Sequence, residues 1–344
     1  MLSKAEASQW SPIRGLRAEP DAWPVGTWNA YKSKYLTPEG RIIDDGNKSI
    51  SHSEGQGYGM LLAVLADDQP AFSSIWLWTR KELQIRPDGL TSWKWEPDKT
   101  PRVTDSNNAS DGDILIAWAL AEAAQRWNKQ EYSREAARIA YAVDKVNGSR
   151  SAIGRVHLPG AVGFAGDHQP DSPVVNLSYW IFPAYESLRK VAPAVDWDGY
   201  KASGMTLARS ARFGTHALPS DWISIQNGKI APAAGFPPLF SYNAIRVPLY
   251  LAWFSGSNKE LLRPYITYWN HFGSSIPEIN VSKSEIAEPF YDKGYQAIFA
   301  LAACAYDTTK IPDSLRSVSF DKYYSSTLHM LALAAARLGY SKCL

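Results

Sequence analysis

The sequence lacks several features that would assign a protein to a class at once. It has only two cysteines, Cys304 and Cys343, which excludes a disulfide framework and a zinc-ligand pattern. One bridge between them and two free thiols both fit the sequence. No run of about 20 apolar residues occurs, so we expect no membrane-spanning helix. The formal net charge of +2 gives no field that favours nucleic acid or an anionic membrane.

We expect no signal peptide in the opening stretch "MLSKAEASQWSPIRG", because it has no apolar core. Either the protein is cytoplasmic, or a signal has been removed and Met1 added. A length of 344 residues suits one large domain or two ordinary ones. We expect a disordered or extended segment at residues 1–20 and a single domain at residues 21–344.

Strand patterns are scarce, and only "AVGFAG" (161–166) and "SIQNGKIAPA" (224–233) suggest short β-hairpins. About eleven segments have helical periodicity instead. Residues 114–124 are apolar on almost all sides, whereas residues 132–146 carry charges on one side. This contrast recurs along the chain and predicts an all-α fold with an inner and an outer ring of helices, an (α/α)6 barrel. An irregular helical globule fits the periodicity as well.

Aromatic residues are abundant, with 14 Trp and 18 Tyr. They could fill the core or line a cleft whose flat faces stack on sugar rings. Trp93 and Trp95 would share one face of an extended chain, which fits either a sugar platform or a buried edge strand. Trp222 lies in a proline-rich loop, where burial in a core is harder to justify.

The first candidate catalytic residue is Glu54 in "SHSEGQGYGM" (51–60), just before a helical pattern. Three glycines in five residues allow close approach of backbone or ligand, and Tyr58 adds a polar group. A carboxylate at this point could equally do no more than favour the helix dipole.

The second candidate is Asp111 in "NNASDGDILIAWALAEAAQRW" (107–127). Ser110 or Asp111 can cap the helix, with Asp113 in its first turn. Capping needs only one of these carboxylates. If this helix belongs to the inner ring, Asp111 and Glu54 can share one cleft at an end of the barrel.

The third candidate site is "LFSYNAIRVPLYLAW" (239–253), where Asn243 precedes Arg246 by three residues. This spacing places both side chains on one helix face. An arginine there is suited to orient a carboxylate at position 243, but the sequence has an amide.

Together these motifs resemble glycoside hydrolase family 8, most closely the endoglucanases associated with bacterial cellulose synthase. The segments "LPGAVGF", "NLSYW" and "PSDW" also occur in the order and spacing of the family, from about residue 25 to 335. The resemblance implies an (α/α)6 catalytic domain, a β-1,4-glucan substrate and inversion. It also implies a periplasmic or secreted location and no metal or cofactor, since hydrolysis needs only water.

The resemblance assigns a role to each matching position. Glu54 matches the general acid, Asp111 the carboxylate that holds the sugar, and Arg246 the arginine beside the base. Position 243 matches the general base, which is Asp in "SYDAIR" of related sequences. The candidates for sugar stacking are Tyr179, Trp93, Trp95 and Trp222, with Tyr58 as a further contact.

Asn243 is the single departure from this pattern. Asn can orient a water molecule but cannot take its proton at neutral pH, so we expect an impaired enzyme. The intact surroundings favour one introduced Asp-to-Asn change. The alternatives are a natural glucan-binding subunit of a cellulose export assembly, or a base supplied by Asp105, Asp221 or Asp292. The family also includes enzymes for xylan and chitosan, but the aromatics and near-neutral charge favour an uncharged glucan.

Overall fold

The computed structural model describes residues 23–254, 256–273 and 276–344, so the segment predicted at residues 1–20 lies outside them. The described residues contain eleven α-helices, which agrees with the prediction of about eleven. They are α1 (Thr27–Tyr35), α2 (Ser53–Leu65), α3 (Gln69–Glu82), α4 (Ser110–Trp127), α5 (Gln130–Asn147), α6 (Tyr185–Val191), α7 (Trp197–Ser210), α8 (Arg246–Phe254), α9 (Arg263–Phe272), α10 (Lys293–Asp307) and α11 (Tyr323–Gly339).

Six helical segments form an inner ring in the described part of the chain. The helix α2 contacts α4, α4 contacts residues 177–191, and these contact α8; α8 contacts α10, α10 contacts α11, and α11 returns to α2. Every residue of α4 from Ser110 to Ala123 is buried, as expected for a helix surrounded on all sides.

The other five helices lie outside this ring and bury one face each. Helix α5 buries Ala136, Ile139, Ala140 and Val143 against α4 and exposes its charged side. The predicted contrast between buried and half-exposed helices is therefore confirmed, and with it the arrangement of helices in two rings.

Residues 174–191 also have helical periodicity, which predicts one helix there, but the structure differs from this prediction. The structure has a short strand at Val174–Val175, two 3₁₀ turns, and then α6 from Tyr185. Pro183 lies in the second turn and has no N–H to donate, which prevents an α-helix from running through this point.

The strands form four small sheets among the described residues: β1 (Ser51–His52) with β2 (Lys94–Trp95); β3 (Gly148–Ser151) with β4 (Gly154–His157); β5 (Val174–Val175), β6 (Ile223–Ser224) and β7 (Ala231–Pro232); and β8 (Leu239–Phe240), β9 (Ile276–Asn280) and β10 (Glu285–Phe290). The predicted hairpin at 224–233 is confirmed by the pairing of Ile223–Ser224 with Ala231–Pro232. The hairpin predicted at 161–166 is wrong, because Gly163 and Gly166 have positive φ and the segment forms bends and a 3₁₀ turn. Two hairpins were not predicted: Gly148–Ser151 with Gly154–His157, and β9 (Ile276–Asn280) with β10 (Glu285–Phe290). The short strand β8 (Leu239–Phe240) pairs with β9.

Glycines bring α2 and α4 into close contact near their N-termini. A Cβ atom at Gly112 would lie 2.7 Å from the backbone nitrogen of Glu54, and one at Gly57 would lie 2.6 Å from Leu115 Cβ. Any larger residue would push the helices apart. This contact fixes the distance between the segments that carry Glu54 and Asp111.

Among the described residues, no helix has both the length and the apolar character needed to cross a membrane. The two cysteines, which the sequence left as a bridge or two thiols, form a disulfide between Cys304 on α10 and Cys343 near the C-terminus. Both cysteines are buried.

Removal of this bridge should destabilise the protein, because it closes a loop with a sequence separation of 39 residues. We expect the double variant Cys304→Ala/Cys343→Ala to lose about 2–4 kcal/mol of unfolding free energy in urea titrations. A reductant should destabilise the parent and leave the double variant unchanged. Equal stability of the oxidised parent and the double variant would contradict this role.

Candidate active site

Glu54 lies in the first turn of α2, at the end of the ring where α4 and α8 also begin. Its Oε2 atom lies 3.1 Å from Nη1 of Arg246, and its side chain is 17% exposed. Burial raises the pKa of Glu54, Arg246 acts against this, and the charge of Asp111 adds to it. The net pKa is above the ordinary value, which favours the protonated form that a general acid needs.

Asp111 lies in the first turn of α4 and is fully buried. Its Oδ2 accepts a hydrogen bond of 2.9 Å from Nη1 of Arg246. The expectation that Ser110 or Asp111 caps the helix is wrong. Ala109 occupies the cap position without a side-chain bond, while the Ser110 hydroxyl donates to the carbonyl of Leu158.

Arg246 is the first residue of α8 and joins these carboxylates. It is 1% exposed, and its Nη1 contacts both Glu54 and Asp111. Its Nη2 donates a 2.9 Å bond to Oδ1 of Asn243. Burial opposes the charge on Arg246, but Glu54 and the other nearby groups hold its pKa well above the ordinary value.

Asn243 lies in the turn that precedes α8, rather than in the first turn of the helix as predicted. Both ends of its amide have partners. Oδ1 accepts from Arg246, and Nδ2 lies 3.4 Å from Oδ2 of Asp221. Asp221 also accepts from the backbone N–H groups of Ser241 and Ala244, so it holds the whole turn.

His52 caps α2 directly before Glu54. Its Nδ1 accepts a 2.9 Å bond from the N–H of Gly55, which leaves the ring proton on Nε2. Nε2 lies 3.4 Å from a carboxylate oxygen of Asp44. The imidazole therefore fixes the turn that carries Glu54.

Asp113 points away from this cluster and has a structural environment. Its two oxygens accept from Thr91 and from the Asn108 amide. Burial raises its pKa to about 7 despite these bonds. Asp113 thus connects α4 to the chain at Thr91 and at Asn108, both of which precede the helix.

A cleft extends to both sides of Glu54 and Asn243. One half is a cavity of about 570 Å³ that is bounded by the β9–β10 hairpin. The other half is a cavity of about 440 Å³ that includes Asp111. The two halves share four lining residues, which are Asn47, His52, Glu54 and Asn243.

Three of the predicted aromatic residues line the smaller half, namely Trp93, Tyr179 and Trp222. The Arg246 guanidinium lies 5.7 Å from the ring centre of Tyr179. Trp93 donates its indole N–H to Asp105, which lines the same half.

Two other predicted residues lie elsewhere. Trp95 packs edge-on against Trp78 and between two arginines, outside both cleft halves. Tyr58 is fully buried in the ring, where its hydroxyl bonds to that of Tyr250. The strand that contains Trp95 begins at Lys94, and Trp93 lies in a bend before it, so the alternation of an extended chain does not place both indoles on one surface.

Sequence reasoning missed most of the larger half. Its aromatic lining consists of Tyr242, Phe290, Tyr291, Tyr295 and Tyr324. Tyr242 adjoins Asn243 and could have been suspected from that position. The others come from the β9–β10 hairpin and the starts of α10 and α11, and no local pattern shows that these meet.

A carboxyl with a raised pKa on the wall of a cleft, with aromatic faces and amide groups around it, is an arrangement suited to cleaving sugar chains. The sequence model of one protein family, glycosyl hydrolases family 8, matches residues 17–337. The chain belongs to this family.

Several relatives are similar over most of their length. A probable endoglucanase of Novacetimonas hansenii is 40% identical over 258 residues, 74% of each chain. An endoglucanase of Cellulomonas uda is 38% identical over 78% of this chain and 74% of its own. Among solved structures, the endo-β-1,4-glucanase of Acetobacter xylinum has a TM-score of 0.83 at 35% identity and covers 92% of this chain and 98% of that one.

Arg246 should be the main group that stabilises the buried carboxyl groups of Glu54 and Asp111. We expect Arg246→Met to lose about 3–5 kcal/mol of unfolding free energy at pH 8, because buried carboxylates remain without a partner. The loss should be smaller at pH 5. Without Arg246, the pKa of Glu54 in the folded state rises further above its unfolded value, so the variant loses stability as the pH rises through that pKa.

The control is Arg189→Met, which removes an exposed ion pair with Asp198 and should cost less than about 1 kcal/mol. Urea titrations at both pH values measure these effects. A small, pH-independent loss in both variants would refute the role of Arg246.

Proposed function

We propose that the protein is an endo-β-1,4-glucanase that cleaves cellulose-like chains with inversion, and that Asn243 limits its turnover. The observation that carries this proposal is the cleft on both sides of Glu54. A glucan chain can extend in both directions from the cleaved bond in such a cleft, which suits cleavage within a chain. The names of the relatives, endoglucanases of several bacteria, support the same substrate class.

In this mechanism Glu54 donates its proton to the glycosidic oxygen as the bond breaks. Asp111 and Arg246 hold the sugar at the cleavage point. Inversion also needs a water molecule on the opposite face of the sugar, and a base must remove its proton. Acid and base are typically about 6.5–9.5 Å apart in such enzymes, which leaves room for this water.

Asn243 occupies the place of the base but cannot perform this step. Its amide oxygen already accepts from Arg246, and its amide nitrogen donates towards Asp221. The remaining lone pair can orient a water molecule. The amide does not take up a proton at neutral pH, so the water remains a weak nucleophile.

A second candidate function follows from the same residue. A cleft that keeps Glu54, Asp111 and the aromatic walls but lacks the base would bind glucan without cutting it. In that case the protein would be a glucan-binding subunit of a cellulose synthesis or export assembly. The effect of a carboxylate at position 243 distinguishes the two functions.

We also propose a periplasmic or secreted location and a functional association with the cellulose synthase machinery. The Cys304–Cys343 disulfide supports the location, because such bonds persist in oxidising compartments. The association rests on the resemblance to endoglucanases that accompany cellulose synthase.

The test is release of reducing sugar from carboxymethylcellulose and from soluble mixed-linkage glucan. We expect little activity from the parent and an increase of at least about 10² for Asn243→Asp, because a general base typically contributes 10²–10⁴ in rate. NMR of the first products should show the α-anomer, as inversion requires.

Two controls make the result specific. Asn47→Asp adds a carboxylate to the same cleft at a residue that is not among the hydrogen-bond partners of Arg246, and it should produce no gain. Glu54→Gln should abolish the activity of Asn243→Asp. Equal activity of the parent and Asn243→Asp would place the base elsewhere, with Asp105, Asp221 and Asp292 as the residues to replace next. Binding of glucan with no turnover in any variant would favour the binding subunit.

A further inference from the structure

The larger half of the cleft has a wall whose position is fixed relative to the catalytic turn. This wall is the β9–β10 hairpin, and β9 pairs with β8. Asn243 follows β8 by three residues. The hairpin therefore stands at a defined place beside Asn243, and residues at its end face the cleft.

Most aromatic rings in this half pack against one another. Tyr242 lies 5.1 Å from Phe290, and Phe290 lies 4.9 Å from Tyr295, as measured between ring centres. Tyr324 bonds through its hydroxyl to the carbonyl of Tyr242. These rings support the wall itself.

Tyr291, the residue directly after β10, differs from these rings. It lines the cleft and is 74% exposed. No hydrogen bond or ring contact ties its side chain to the other described residues. A large aromatic ring that is mostly exposed contributes little to folding, and much of its surface is accessible to a ligand.

We infer that Tyr291 is a sugar-stacking residue away from the cleaved bond, which makes the protein prefer long β-1,4-glucans to short ones. This inference rests on the proposed function. The C–H face of a glucose ring packs on a tyrosine face, and tyrosine loses little conformational entropy on binding. The nearby side chains of Asp44, Asp292 and Lys322 offer hydrogen-bond partners for sugar hydroxyls.

The test is calorimetric titration of the parent and of Tyr291→Ala with cellotriose and cellohexaose. The low turnover expected with Asn243 allows binding to be measured without hydrolysis. For Tyr291→Ala we expect cellohexaose affinity to fall roughly 5- to 10-fold, the size expected for loss of one aromatic stack. Cellotriose affinity should change less than about two-fold, and Tyr291→Phe should bind like the parent.

The matched control is Tyr141→Ala, since Tyr141 is another exposed tyrosine but lies on α5, away from the cleft. It should change neither affinity. Unchanged cellohexaose binding in Tyr291→Ala, or an equal loss for both sugars, would overturn the inference. If Asn243→Asp hydrolyses glucan while Tyr291→Ala has no effect, only this inference fails. If the parent binds neither sugar and Asn243→Asp is inactive, the proposed function fails with it.

Discussion

The contact of the Arg246 guanidinium with Glu54, Asp111 and Asn243 joins three inner segments at one end of the ring. Each of these groups would be costly to bury alone. An isolated carboxylate or guanidinium in such a place would have to lose its charge or draw water in. Because the charges neutralise one another, the three segments can begin close together, and the cleft opens where they meet.

This balance explains why position 243 tolerates an amide. Arg246 needs an acceptor on its Nη2, and both Asn and Asp provide one. Asp221, on the far side, favours a donor, which the amide supplies and an ionised carboxylate does not. Asn243 therefore satisfies both neighbours, and the turn before α8 keeps its shape although the proton acceptor is missing.

The sequence predicted the parts of the molecule that depend on local patterns. Periodicity separated buried from half-exposed helices. The glycines after Glu54 predicted a close approach of backbone or ligand, and the structure has α4 close to Gly57. It failed where the outcome depends on distant contacts. Trp95 lies near Trp93 in sequence but turns towards Trp78, whereas Tyr291 and Tyr324 line one cleft half from separate segments. The break near Pro183 could have been anticipated, because proline within a helical pattern interrupts it.

In the proposed mechanism, the amide at position 243 affects the general acid, Glu54, as well as the water. With Glu54 protonated, Asp111 and Arg246 carry opposite charges and the cluster is neutral. A carboxylate at 243 would make it negative, which would raise the pKa of Glu54 further and keep it protonated at higher pH. The base of such a site therefore serves both halves of the reaction: it removes a proton from water and helps to retain the proton that the leaving group needs. In that mechanism Asn243 lacks both effects but keeps the hydrogen bond to Arg246, so we expect glucan binding to be kept and proton transfer to be impaired.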